Sequence, residues 1–368
     1  MDSQTPIDFH GSYQKGDVQF LLKQVRLAPT EVGAKERLIQ AGRAHYSTML
    51  SAEHPPEPAY LELFHEALRR NGRRVARDVA ALAVTLAANA RSEVVLASLA
   101  RAGTPVGVLL VRALRALGVR STHFSISIIR DRGIDPVALD YILARHDPAD
   151  VVFVDGWTGK GSIAGELEAS LGAYNAARGT RLSPKLAVLV DLAGASEIAV
   201  TSEDYLIPSS ILNAVVSGLI SRTVLNDDLV LPGDFHACVY YRDMSGHDLS
   251  RHFVDTVSPL VAEYLPAAHL VDWNLERRAG LRGTSEAFLS ALQRDFGVTD
   301  RNRIKPGIGE STRALLRRVP DRLLVADPEA EDLAHLMLLA KSKNVPVHTL
   351  PEMPYRATAI IRAVREDA

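Results

Sequence analysis

From about residue 75 onward the hydrophobic positions fall into short continuous runs, such as VVLASL, that alternate with stretches of helical period, such as LLVRALRAL. Continuous runs of four to six apolar residues read as buried strands, and a 3.6-residue period reads as helix. The pattern predicts strands at 94–99, 122–128, 151–154 and 186–190, with helices at 106–117, 136–145 and 163–177. Pro136 stands in the first turn of its helix, where proline is tolerated. Such alternation argues for an α/β fold with a mainly parallel open sheet and helices on both faces. Residues 30–90 read as a helical N-terminal cap. Beyond the alternation, 208–224 reads as a helix and 234–242 as a strand, while 272–304 is charged and less periodic, a linker or a peripheral helix pair. The tail reads helix 311–318, strand 322–326, helix 329–343, strand 345–350 and helix 355–365. That is a second, small C-terminal α/β unit, so the chain divides into 1–304 and 305–368. No internal repeat or low-complexity tract interrupts it.

Composition narrows the class. With 368 residues, 47% of them hydrophobic, the chain can bury a large core. A net charge of −2 gives no global basic footprint, so contact with nucleic acid needs a local patch. One cysteine excludes a disulfide framework within the chain and fits a reducing compartment. The N-terminus, MDSQTPIDFHGSYQKGD, has no basic region leading into an apolar one, and arginines break the most apolar stretch, 75–119. The expected location is cytoplasmic.

In open α/β sheets the chemistry sits at the carboxyl ends of the strands. Two loops there favour anions. The first, ARAGTPVG, follows the strand at 94–99: Arg101 supplies charge, Gly103 permits an unusual backbone, and Thr104 and Pro105 lead into a helix. The second lies in VVFVDGWTGKGSI, where Asp155 ends an apolar strand and Thr158, Gly159, Lys160, Gly161 and Ser162 open a helix, a natural phosphate cradle. A Walker A loop is excluded because Val154 and Gly161 stand where Gly and Ser or Thr are required, and neither loop has the dinucleotide GxGxxG spacing.

These features resemble a type I phosphoribosyltransferase. The resemblance implies that Asp155 meets the ribose, that Thr158 to Ser162 bind the 5′-phosphate of phosphoribosyl pyrophosphate, that Arg101, Gly103, Thr104 and Pro105 take the pyrophosphate with Mg²⁺, and that Arg130 and Arg132 belong to a mobile loop closing over it. Gly156 departs from the family, which usually has a second acid there. Over nearly the full length, the pieces GSYQKGDVQFLLK, DGWTGKG, EDYLIPSS, VSGLISRTVLN, GDFHACVYYRD, IKPGIGESTRALLRRVP and MPYRATAI resemble one bacterial family found with tellurite-resistance stress clusters. That family is described as a phosphoribosyltransferase domain followed by a Pelota-type RNA-binding domain, and its members also carry the name cysteine protease StiP. The two names imply incompatible chemistries.

The residues bear on that conflict. A cysteine protease needs a thiolate beside a base, and this chain offers Cys238, with His236 two positions away and hence on one face of a strand. The family pattern implies cysteines where this chain has Ile211 and Ala193, so a small buried hydrophobe is the better reading of Cys238. Asp191 ends another strand, and Asn213, Ser217 and Ser221 recur every four positions. Asp191, Asn213 and Ser217 would floor an acceptor pocket, although an Asx turn and close helix packing explain the same residues. In the tail, Lys305, Arg313, Arg317 and Arg318 form the best basic patch, suited to RNA phosphates or to docking on the main unit. The resulting expectation is a stress-response phosphoribosyltransferase with an RNA-binding tail and an unknown base-like acceptor. The alternatives are a thiol hydrolase using Cys238 and His236, or a non-catalytic ribosyl-phosphate-binding regulator. The oligomeric state is open.

Overall fold

The computed structural model describes residues 8–363, so the expectations for 1–7 and for 364–368, including the end of the predicted tail helix, lie outside the described residues. Six strands form the central path of the main sheet: β1 (Gln19–Phe20), β2 (Val94–Leu99), β3 (Ser121–Ile126), β4 (Val151–Val154), β5 (Leu186–Asp191) and β6 (Ile198–Thr201). Their spatial order is β1-β3-β2-β4-β5-β6, every pairing is parallel, and Trp157–Thr158 adds a short pairing beside β5. Strands β2, β4 and β5 are buried along their whole length, which is why they read as unbroken apolar runs.

Helices cover both faces. After α1 (Val32–Gln40), helix α2 (Pro58–Ala88) starts with proline in its first turn and buries a stripe of Phe64, Leu68, Val75, Val79, Leu82 and Leu86. It packs against α3 (Gly103–Ala116) and, further along the chain, against α6 (Ser250–Tyr264). On the other face, α4 (Pro136–Leu143) and α5 (Ser162–Arg178) cover a second cluster that includes Phe153, Leu139 and Leu171. Gly103 lets α3 enter hard against β4: a Cβ there would lie 2.2 Å from the Val154 carbonyl oxygen.

Four expectations are corrected. Residues 208–224 form no α-helix but two 3-10 turns, Pro208–Ser210 and Ala214–Val216, followed by Gly218 and Leu219 at positive φ. The strand expected at 234–242 shrinks to Ala237–Cys238, paired with Lys23–Gln24. The segment 272–304 contains a single long helix, α7 (Leu275–Asp295). The tail helix at 355–365 is instead a strand.

That strand belongs to a second sheet of β7 (Ile304–Pro306), β8 (Pro320–Val325), β9 (Val347–Thr349) and β10 (Ala357–Ile361), in the order β7-β10-β8-β9. Helices α8 (Ile308–Arg317) and α9 (Ala334–Ser342) accompany it. The two units exchange carboxylates. Asp204 of the main unit accepts the Ile308 and Arg356 amides at 3.0 and 2.8 Å. In return Asp332 accepts from Arg70 and Asn71 of α2 at 3.0 and 2.9 Å and from the Leu206 amide at 3.2 Å. Among the described residues no helix is long and apolar enough to cross a membrane.

Candidate functional site

The carboxyl edge of β4 faces the second unit, and between them lies a cleft of ≈ 230 Å³. Asp155 ends β4 and reaches into it. Following Asp155, the chain turns through Trp157–Thr158 to the start of α5, where Gly161 adopts φ 80° and the Thr158 hydroxyl accepts the Gly161 amide at 3.1 Å. The far wall is built by Lys305 of β7 and by Glu310, Arg313 and Arg318 around α8, while Tyr46 and Arg130 close one side. The structure therefore gathers Asp155, Thr158 to Ser162, Arg130, Lys305, Arg313 and Arg318, all named from the sequence, around one space.

Their individual roles differ from the expectation. Lys160 is not a free cation: its Nζ donates to the Arg301 and Ile304 carbonyls at 2.8 and 2.9 Å, tying the loop to the chain entering β7. Burial, aided by the nearby Lys305, pulls its pKa down to about 7. Gly159 touches the other unit directly, since a Cβ there would lie 2.4 Å from the Pro306 carbonyl oxygen. Arg313 lies over the Trp157 ring at 4.5 Å, and the Trp157 Nε1–H, buried, has no acceptor. Asp155 is buried, with one hydrogen bond, from the Gly156 amide at 2.8 Å. Burial raises its pKa to about 6 against the opposing pull of Arg313.

The basic patch of the tail turns inward. Arg318 pairs with Glu36 at 2.9 Å, and Arg317 donates to Asn213 Oδ1 in a seam shared with Glu53, Arg101 and Arg222. It is docking surface as much as cleft, because both arginines bond to residues of the main unit. Arg101 forms a bidentate pair with Glu53 at 2.6 and 3.1 Å and also donates to the Ile220 carbonyl. Thr104 shares a buried hydrogen bond with Ser125 at 2.8 Å, and Gly103 and Pro105 are buried in the start of α3, so this loop is spent on packing. Arg132 is exposed. Asp191, Asn213 and Ser217 do not line the cleft. Asp191 accepts from the Ala193 amide and from Ser196 in a closed turn, and with no helix at 208–224 the four-residue stripe through Asn213, Ser217 and Ser221 does not exist as a helix face.

Cys238 is fully buried, and burial pushes its thiol up to about 12. The ring Nδ1 of His236 is 2.8 Å from Ser127 Oγ, not engaged with the sulfur, and the His236 amide donates to Asp135 at 2.6 Å. Ser127, His236 and Asp135 thus adjoin without forming a relay, since Asp135 holds a backbone amide and caps α4.

Sequence reasoning missed Tyr46, Trp157, Glu310 and Glu53. Tyr46, Trp157 and Glu53 meet their partners across long sequence separations, and nothing in a local motif announces such contacts. A buried-size aromatic directly after DG in the β4 loop is the one signal that pointed toward Trp157.

The family model described as "Tellurite-like stress resistance cysteine protease StiP" matches residues 11–258, and the model "PELOTA RNA binding domain" matches 283–363. A curated relative, "Cysteine protease StiP" of Acinetobacter baylyi (strain ATCC 33305 / BD413 / ADP1), is 41% identical over 364 residues, covering 96% of this chain and 94% of its own. Among solved structures, N-succinyldiaminopimelate aminotransferase from Mycobacterium tuberculosis covers 92% of this chain and 94% of its own at 13% identity, with a TM-score of 0.23, too low to carry an argument. The relatives overturn the phosphoribosyl transfer expected from the sequence, because family and relative alike are named for cysteine proteolysis. The Mg²⁺ expected with phosphoribosyl pyrophosphate belongs to that reaction. By a family match over most of its length and a relative at 41% identity, the chain belongs to the StiP family of tellurite-like stress resistance proteins.

Proposed function

We propose that this chain is a stress-response enzyme of the class its relative is named for, a cysteine protease, with Cys238 as nucleophile and His236 as base. The observation that carries this is the relative's name at 41% identity, combined with a sequence that holds one cysteine. The geometry attaches a condition: the thiol rests protonated and buried, so turnover requires the strand bearing it to open. Ala237–Cys238 pairs with Lys23–Gln24 on one side, Ala237 bridges Val224 on the other, and Cys238 lies in the main core, so this opening gives up cross-strand hydrogen bonds and buried apolar contacts. On opening, His236 leaves Ser127 and takes the Sγ proton, the thiolate attacks the peptide carbonyl, the C–N bond breaks as His236 gives that proton to the departing amine, and water then hydrolyses the thioester. With a thiol near 12, about one molecule in 10⁵ is thiolate at pH 7, against a few per cent for a free cysteine. Iodoacetamide should therefore label Cys238 roughly three orders of magnitude more slowly in the folded protein than in urea, and proteolysis should disappear in Cys238→Ser. A Cys238→Ser protein that digests casein as fast as wild type would end this reading.

A second reading concerns the cleft. We infer that it holds RNA by its phosphates, supported by the match of residues 283–363 to an RNA-binding domain and by cations from both units lining one space. Neutralising Lys305 and Arg313 together should weaken binding of a single-stranded RNA and reduce the slope of log K against log salt by about 1.4. An unchanged slope in filter binding would remove the cleft from the RNA path.

A further inference from the structure

Among the described residues, the buried carboxylates other than Asp155 have structural partners. Asp17 and Glu36 are held by Arg112 and Arg318. Asp135, Asp191 and Asp204 accept backbone amides that fix helix starts and turns. Asp155 takes only the amide of its own neighbour, Gly156, and lines the cleft. A carboxylate among cations lowers affinity for an anion. What it offers in exchange is a proton acceptor beside whatever the cations hold.

We propose that the cleft cleaves the RNA it binds, with Asp155 taking the proton of a ribose 2′-hydroxyl. This rests on the RNA reading above. The freed O2′ attacks the adjacent phosphorus and forms the O2′–P bond while the P–O5′ bond breaks. Lys160, whose Nζ gives two N–H bonds to carbonyls, delivers its remaining proton to the departing O5′. The products are a 2′,3′-cyclic phosphate and a 5′-hydroxyl end, and exchange with water returns the proton from Asp155 to Lys160. No further reactant is needed. Arg313, which lines the cleft over the Trp157 ring, supplies donors for the phosphate oxygens as charge builds. The space of ≈ 230 Å³ is below the about 300–1,000 Å³ that engulfs a drug-sized ligand, so it suits a sugar and phosphate with the base outside. The titration of the pair agrees: with Arg313 and Glu310 facing Asp155, and Lys305, Glu310, Arg130 and Arg301 facing Lys160, burial brings the acid up to about 6 and the amine down to about 7.

The test uses the full chain with a labelled single-stranded RNA and the same RNA carrying one 2′-deoxyribose. Cleavage is expected to leave cyclic phosphate ends, to fail at the deoxy position, and to follow a bell-shaped pH profile centred between about 6 and 7. Asp155→Asn should slow it by about 10² to 10⁴-fold, while RNA binding tightens because a negative charge leaves the cleft. RNA that binds but stays intact sinks this proposal and spares the RNA reading. Cleavage by Asp155→Asn at the wild-type rate also sinks it, as a contaminating nuclease would produce. Absence of binding ends both.

Discussion

A carboxylate that titrates near 6 is costly to the fold. Asp155 rises from an ordinary 3.8 to about 6 chiefly because it is buried. Between about pH 4 and 6 the folded state then holds a proton that the unfolded chain has released, so this group's contribution to stability falls as pH rises through that window and is constant above it. The full penalty at pH 7 is on the order of 3 kcal/mol by the same linkage. Asp155→Asn removes the charge but keeps the shape and an acceptor for the Gly156 amide. Its thermal midpoint should therefore exceed that of wild type at pH 7, with the advantage shrinking toward pH 4. A loss of stability at pH 7 would instead make Asp155 a structural residue. Gain of stability with loss of activity is the signature of a group placed for chemistry.

At the scale of elements, the β4–α5 loop can move little because the second unit packs on it. An alanine at Gly159 would put its Cβ 2.4 Å from the Pro306 carbonyl oxygen, a backbone atom that cannot swing aside. Gly159→Ala should cost about 1–3 kcal/mol through overpacking, whereas Gly165→Ala, in α5 with nothing near its Cβ position, should gain about 0.4–1 kcal/mol. Urea midpoints of the two variants would separate in opposite directions. What the sequence revealed at this scale follows from the same physics. Strands β2, β4 and β5 were legible because parallel strands buried on both faces carry unbroken apolar runs. The run at 208–224 carried a helical period, yet Gly218 and Leu219 at φ 76° and 60° turn the chain there, and its burial on all sides erased the distinction between helix and irregular core. Helix α7 is polar over most of its surface and so resembled a linker. Strand β10 is too short for its period to decide. Asp155, Lys160 and Arg313 could be named from local motifs. That Lys160 would be spent on carbonyls and Arg101 on Glu53 could not, since both facts depend on partners 141 or 144 and 48 residues away.

The cleft exists only while its two units stay docked, and the docking joins the exchanged carboxylates to one apolar core that runs from Phe64 and Leu206 of the main unit to Leu315 and Leu336 of the second. Asp204 is the acceptor for the Ile308 amide at the start of α8 and for the Arg356 amide leading into β10. Burial raises its pKa to about 6, so at pH 7 it works as the charged acceptor these amides favour. Asp204→Ala leaves both amides buried without a partner, at about 1–3 kcal/mol each. Asp332→Ala releases Arg70, Asn71 and the Leu206 amide at the opposite end of the seam. Either change alone leaves the other clamp and the Gly159 contact in place, so the chain should still unfold in one transition at a lower midpoint. Both together should uncouple the units. In calorimetry the double variant is then expected to show two transitions, with the smaller one from the second unit, and RNA binding should lose the share that comes from Arg130 across the cleft. A double variant that melts in a single sharp transition would place the coupling in the shared apolar core and in the Glu53, Arg101 and Arg317 seam.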